Sequence, residues 1–155
     1  MTTALILVDV INDFFHPQGS NYHPQHDAIL SHIKTVLSAA RRHGLMIVHA
    51  MEGHPANHKW DFEWKKLPQH CIIGSFAAQP APGIEIHSGE YTVHKRRYSA
   101  FFATDLDLLL RERSVRHLVL VGVKSHVCVR ATAQDAFALG YDVAVVKEAV
   151  GSNHA

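Results

Sequence analysis

Two residues in this chain have reactive chemistry at telling places. Asp9 closes the apolar run ALILV, and Cys128 stands in GVKSHVCVRATAQDAFALG, just after the run LVLV and at the entry of a segment with helical period. A thiol at a helix N-terminus gains from the free N–H groups and the macrodipole, both of which favour the thiolate. A carboxylate facing it can carry its proton. Together they supply a nucleophile and a proton carrier, which with donors placed where negative charge gathers is what amide hydrolysis needs. Each residue also has a plainer reading: a cysteine is most often a buried, inert thiol, and an aspartate at a strand end can be only a cap. The other cysteine, Cys71, lies far from Cys128, forms no CxxC and is assigned to packing. Two free thiols in a reducing compartment, and hence a cytoplasmic protein, are expected.

The elements that must position these residues follow from periodicity. Leu5 to Val8, Met46 to His49, Leu118 to Val121 and Val143 to Val146 are short β-branched runs, with Tyr91 to Val93 a weaker one. They alternate with stretches of helical spacing, the pattern of a parallel α/β sheet covered on both faces. Ala28, Ile29, Ile33, Val36, Leu37 and Ala40 predict a helix that starts near Asp27, has Arg41 and Arg42 in its last turn and stops at Gly44. A second helix is expected from about Thr104, as N-cap, through Leu106, Leu109 and Leu110. A third follows Cys128 through Ala131, Ala136, Phe137 and Leu139 to Gly140. Residues 51 to 90 lack clean periodicity and read as a long functional excursion. In a doubly wound sheet the ligand lies beyond the carboxyl ends of the strands where the order reverses, which is where Asp9 and Cys128 would meet.

Composition bounds the rest. The chain has 155 residues, 47% hydrophobic and 19% charged, the profile of one globular domain spanning 1–155 with a core that needs no metal or disulfide staple. Fifteen Lys and Arg against 14 Asp and Glu leave a net charge of +1, so there is no electrostatic case for nucleic acid or an anionic membrane. The N-terminal run meets Asp9 and Asp13 too soon for a signal or a span. GxGxxG, GxxxxGK, GxSxG and HExxH are absent, which removes the best support for dinucleotide, triphosphate and serine-hydrolase readings.

Three ordered segments, ALILVDVINDFF, HKRRYSAFFATDLDLLLRE and LVLVGVKSHVCVRATAQDAFALGYDVAVVKEAV, resemble the signature regions of the isochorismatase-like cysteine hydrolases. That superfamily includes nicotinamidases and N-carbamoylsarcosine amidase, and the resemblance runs from about Ala4 to Val150. It implies a three-layer doubly wound α/β fold with a mostly parallel central sheet. It also implies a catalytic triad of Asp9, Lys95 and Cys128, with Lys95 holding Asp9 ionised and favouring the thiolate. It further implies a cis peptide between Val123 and Lys124, with the N–H groups of Lys124 and Cys128 turned toward a shared oxyanion. The activity so implied is a cysteine-dependent amidohydrolase that cleaves a small carboxamide or ureido C–N bond through a thioester. Acidic, aromatic and ureido amides all fit. A vinyl-ether hydrolase of the isochorismatase type would not use the cysteine, and a non-catalytic binding or scaffold protein is the third class.

Glu52, His54, His58 and His70 resemble the metal-binding loop of nicotinamidases, although Glu stands for the usual Asp and the gaps between histidines are shorter. The resemblance implies a divalent zinc, iron or manganese ion; no cofactor is otherwise required. With 14 histidines in the chain, side chains that only hydrogen-bond within a loop are the competing reading. Phe14, Trp60 and Trp64 are candidates for the substrate pocket or, more plainly, for the core. Members of that family usually continue after the strand Val143 to Val146 with another helix and an edge strand, whereas this sequence stops at Gly151 to Ala155, as either a naturally short form or an incomplete sequence. An uncovered edge and apolar surface would favour a homo-oligomer, a dimer or tetramer.

Overall fold

An unbroken apolar run such as ALILV is satisfied only by burial on both faces, and it forms the centre of the sheet. The computed structural model describes residues 2–152, with strands β1 (Thr2–Val8), β2 (Met46–Glu52), β3 (Tyr91–Lys95), β4 (Val115–Val123) and β5 (Asp142–Gly151). All pairings are parallel, in the order β3-β2-β1-β4-β5. The chain therefore builds outward from β1 on one side and returns to its other side with β4, so the order reverses between β1 and β4.

Alternation along β1 sends Leu5 and Leu7 to one face and Ala4, Ile6 and Val8 to the other. The first face is covered by α1 (Asn12–Phe15) and α2 (Gln25–Arg42), through Phe15, Leu30, Ile33 and Leu37. The second is covered by α3 (Leu106–Glu112) and α4 (Arg130–Ala138), through Leu106, Leu110 and Ala136. This is the expected three-layer α/β architecture. No helix among the described residues is long and apolar enough to cross a membrane.

The elements differ from the sequence expectation mainly at their ends. The strands are longer, and the extension matters: β2 runs on to Glu52 and β3 to Lys95, so both residues stand at strand carboxyl ends. Helix α2 begins at Gln25 behind Pro24, with Asp27 in its first turn, near the start as expected. The N-cap of α3 is Asp105, one residue beyond the expected Thr104, whose hydroxyl accepts a hydrogen bond from the Leu106 N–H at 3.3 Å. Cys128 lies inside a π-helical turn, Ser125–Val129, that runs straight into α4, rather than ahead of the helix.

The long excursion between β2 and β3 is anchored by distant contacts. His54 bridges Ile72, Ile11 bridges Pro80, and the Arg41 guanidinium grips the Glu90 carboxylate through two hydrogen bonds at 2.7 and 3.1 Å. Burial opposes ionisation of Glu90, but Arg41 and His49 hold its pKa down to about 2.

Candidate active site

The carboxyl ends of four adjacent strands meet at one point. Register alone brings them there, because Val8 pairs with Ala50 and with Gly122, and Glu52 pairs with Lys95. Gly122 permits the close approach of β4 to β1: its φ is +117°, and a Cβ there would lie 2.0 Å from the Val8 carbonyl oxygen. The peptide bond between Val123 and Lys124 is cis. Beyond it, the Lys124 carbonyl accepts from the Val127 and Val129 N–H groups, which fixes the turn carrying Cys128.

Asp9 is fully buried and sits in the left-handed region, with φ +53°, a conformation that aspartate tolerates better than most residues. Its Oδ1 accepts from the Glu52 N–H at 2.7 Å, and the Lys95 ammonium lies 2.8 Å from Oδ2. The latter contact is an ion pair without hydrogen-bond alignment, so Oδ2 keeps capacity for another proton. Lys95, also fully buried, donates to the Arg97 carbonyl at 3.2 Å. Atoms of Asp9, Glu52 and Cys128 able to bind a proton or ion all lie within 4.8 Å of one another. Asp9, Lys95 and Cys128 are thus brought together from three strand ends.

Burial raises the Asp9 pKa to about 6, with the Lys95 charge limiting the rise. Burial opposes the Lys95 charge, but Asp9 outweighs it and keeps the ammonium fully protonated. The Cys128 thiol is pushed well above its ordinary value by burial and the Asp9 charge. Desolvation of a thiol only 6% exposed, beside a carboxylate, works against the thiolate, while the Lys95 charge favours it. Cys71 is buried against Asp13 Oδ2 at 3.5 Å, and burial raises its thiol as well.

Cys128 faces a cavity of about 260 Å³ that is also lined by Phe14, Glu52, Glu63, Tyr98 and Lys124. Of the three aromatic candidates, Phe14 is in this wall. Trp60 is 81% exposed and lines no part of it, because its loop turns outward. Trp64 packs at a 44° tilt against the His54 imidazole, 5.4 Å between centroids, so it backs that histidine rather than the cavity.

The metal candidates are partly reassigned. Glu52, His54 and His70 converge, but the fourth member is Glu63, and donor atoms of these four lie within 4.8 Å of one another. His58 is outside the cluster because a turn closed by its own N–H on the Pro55 carbonyl carries it away. Asp61, which the sequence reading passed over, is the hub behind the cluster: it accepts from His54 Nδ1 at 2.8 Å and from Arg96 and Arg97. Acidic residues within WDFEW are the only local signal for Asp61 and Glu63, and their types do not separate ligands from surface charges.

The four side chains suit a divalent ion. His54 Nδ1 and His70 Nδ1 donate to acceptor-only partners, Asp61 and the Pro68 carbonyl, which leaves both Nε2 atoms aimed at Glu52. Carboxylates or carbonyls behind imidazoles in this way are the usual support of metal-bound histidines. Without a metal, each ring needs a second proton to bond Glu52. The Glu52 hydrogen bond accordingly raises His70 to about 9. Burial opposes a charge on His54, but Glu52 and Asp61 prevail and raise its pKa. A dication can replace those two protons with little change in charge.

The isochorismatase domain family model matches residues 3–155. A pyrazinamidase/nicotinamidase of Streptococcus mutans is 35% identical, with 97% of this chain and 88% of that one covered at a TM-score of 0.92. A ureidoacrylate amidohydrolase of Caulobacter segnis is 30% identical over 96% of this chain and 72% of its own length. A pyrazinamidase of Pyrococcus horikoshii, solved in complex with zinc, is 29% identical, with 98% and 87% covered and a TM-score of 0.87. Matched along nearly all of its length in sequence and in fold, the chain belongs to the isochorismatase family of hydrolases.

Proposed function

We propose that this hydrolase is a cysteine-dependent amidohydrolase that splits a small carboxamide or ureido C–N bond and releases ammonia or an amine. The observation that carries the reading is the meeting of Asp9, Lys95 and Cys128 from three separate strand ends at one buried point, with Cys128 on the wall of a cavity. At neutral pH Asp9 is mostly ionised and Cys128 holds its proton, so donor and acceptor stand in the right states. Cys128 Sγ attacks the carbonyl carbon as its proton passes to Asp9, and the N–H groups of Lys124 and Cys128 hold the oxyanion. Asp9 then gives the proton to the departing nitrogen, the C–N bond breaks and a thioester remains. Water, losing a proton to Asp9, attacks the thioester; the C–S bond breaks and the thiol is restored. Lys95 is the positioning residue that keeps Asp9 ionised. A vinyl-ether cleavage would leave Cys128 idle.

Ammonia release from nicotinamide, N-carbamoyl amino acids, biuret and maleamate, with mass spectrometry of the quenched enzyme, tests the reading. Turnover of at least one amide with an acyl adduct on Cys128 is the expected result. No turnover and no adduct across the panel would overturn it.

Glu52, His54, Glu63 and His70 would hold a divalent ion beside the cavity, where it would supply Lewis acidity to orient a ring nitrogen or a polar substituent. Elemental analysis of untagged protein is expected to give one ion per chain. Glu63→Gln and His70→Ala are expected to weaken its retention by roughly 10-fold or more, and His58→Ala to leave it unchanged. Substoichiometric metal throughout would assign these residues to loop structure and favour metal-independent carbamoyl amides.

We also propose a homo-oligomer, a dimer or tetramer. Among the described residues β5 is an edge strand with Val145 45% exposed, and Phe137 on α4 is 79% exposed. Light scattering at micromolar concentration is expected to give at least twice the chain mass; a monomer mass would exclude the assembly.

A further inference from the structure

Beside the cavity that holds Cys128 lies a larger one of about 590 Å³ that the chemistry above does not use. Phe62, Leu67, Tyr98 and Phe102 provide its apolar walls. Glu63, Leu67 and Tyr98 line both cavities, so the two share a partition. The inner cavity, at 260 Å³, is below the ~300–1,000 Å³ in which proteins enclose ordinary small ligands, whereas the outer one falls within that range. The inner space holds a small amide, and a longer substituent on that amide has room only beyond the shared wall.

Two of the three partition residues lie outside the packed core, Leu67 and Tyr98 being 44% and 50% exposed, while Glu63 is buried. Two cations, Lys66 and Arg97, and two carboxylates, Glu63 and Asp135, also line the outer chamber, so its formal charges balance. Arg97 is further engaged by Asp61 at 3.2 Å, and the Lys66 ammonium lies 5.2 Å from the centre of the Phe62 ring. Nothing in that arrangement calls for an ionic group on the ligand.

We propose that the outer chamber receives an uncharged apolar chain or ring on the acyl side of a primary amide whose carbonyl lies against Cys128. The protein then prefers extended hydrophobic carboxamides to small bare ones. The proposal rests on the amidohydrolase reading for the chemistry of the inner site. The reaction itself is unchanged: the C–N bond of the amide breaks, water supplies the new C–O bond, and ammonia leaves. Placing the substituent on the acyl side follows from that leaving group, because ammonia needs no chamber.

The test is kcat/KM for ammonia release along acetamide, butyramide, hexanamide and phenylbutyramide. A rise of at least about tenfold from butyramide to phenylbutyramide is expected, given what even one methylene contributes in an apolar pocket. In Phe102→Lys that ratio is expected to fall by about fivefold or more, since a charge then stands on the chamber wall; in Trp60→Ser, outside both cavities, it is expected to hold. A flat or falling series overturns the proposal, as does an unchanged ratio in Phe102→Lys. Protection of Cys128 from iodoacetamide, read by peptide mass, reports binding without turnover. If no amide is hydrolysed but phenylbutyramide protects better than butyramide, the amidohydrolase reading fails and the chamber stands. If there is neither hydrolysis nor protection, the chamber fails as well.

Discussion

Cys128→Ala is expected to lower turnover by roughly 10⁴-fold or more while leaving the fold in place. The size follows from the role: without a nucleophile no thioester forms, and the oxyanion donors and cavity can assist only direct attack by water. The fold is expected to survive because the substitution removes one sulfur atom from a side chain on the cavity wall, at a cost of about 1 kcal/mol. Cys71→Ala supplies the control, since that thiol is buried beside Asp13 and remote in role from the cavity. Circular dichroism and thermal melting check the fold, and ammonia release checks the rate. Comparable activity in Cys128→Ala would falsify the covalent mechanism, and loss of activity in Cys71→Ala with an unchanged melt would mean that the wrong thiol had been assigned.

The sequence makes some of this site legible and hides the rest for identifiable reasons. Asp9 and Cys128 can be placed because each follows an apolar run, and such runs must be central strands in a sheet buried on both faces. Lys95 is different. In HKRRY three cations stand together, and residue types alone read as a solvated surface patch; only the family resemblance singles out the one that is fully buried. The 53–90 excursion has no period to read, because its shape is set by contacts distant in sequence: His54 with Ile72, Ile11 with Pro80, and Arg41 with Glu90. Consequently Asp61 and Glu63 go unnoticed, His58 is put among the ligands, and Trp60 is put in a wall it does not reach. For Cys128 the helix-dipole argument is local, whereas burial and Asp9, which arrives from β1 more than a hundred residues away, also act on the thiol proton and cannot be read from its sequence neighbours.

Asp9→Asn is expected to keep the cavity but lose proton transfer, and turnover is expected to fall by roughly 10²–10⁴-fold. Lys95→Met gives the sharper test because it acts through Asp9. In the parent, Asp9 must be ionised to accept the thiol proton, and its pKa is raised to about 6 by burial against the restraining charge of Lys95. The sign is then fixed: kcat/KM rises with pH through about 6 as the carboxylate forms. Removing the cation takes away the largest contribution that opposes burial and the Glu52 charge, so the Asp9 pKa climbs and the acidic limb of the profile moves to higher pH. Lys95 also lowers the thiol pKa against burial and Asp9, so its loss is expected to shift the pH dependence of Cys128 alkylation upward in the same variant. A merely structural lysine would alter stability without moving either titration. Because Lys95 and Asp9 are both fully buried, breaking the pair is expected to cost about 3–5 kcal/mol, so the profiles are to be measured well below the melting temperature of each variant. If Lys95→Met keeps the parent's acidic limb and alkylation profile, Lys95 does not govern Asp9; if Asp9→Asn turns over like the parent, the proton carrier is another group.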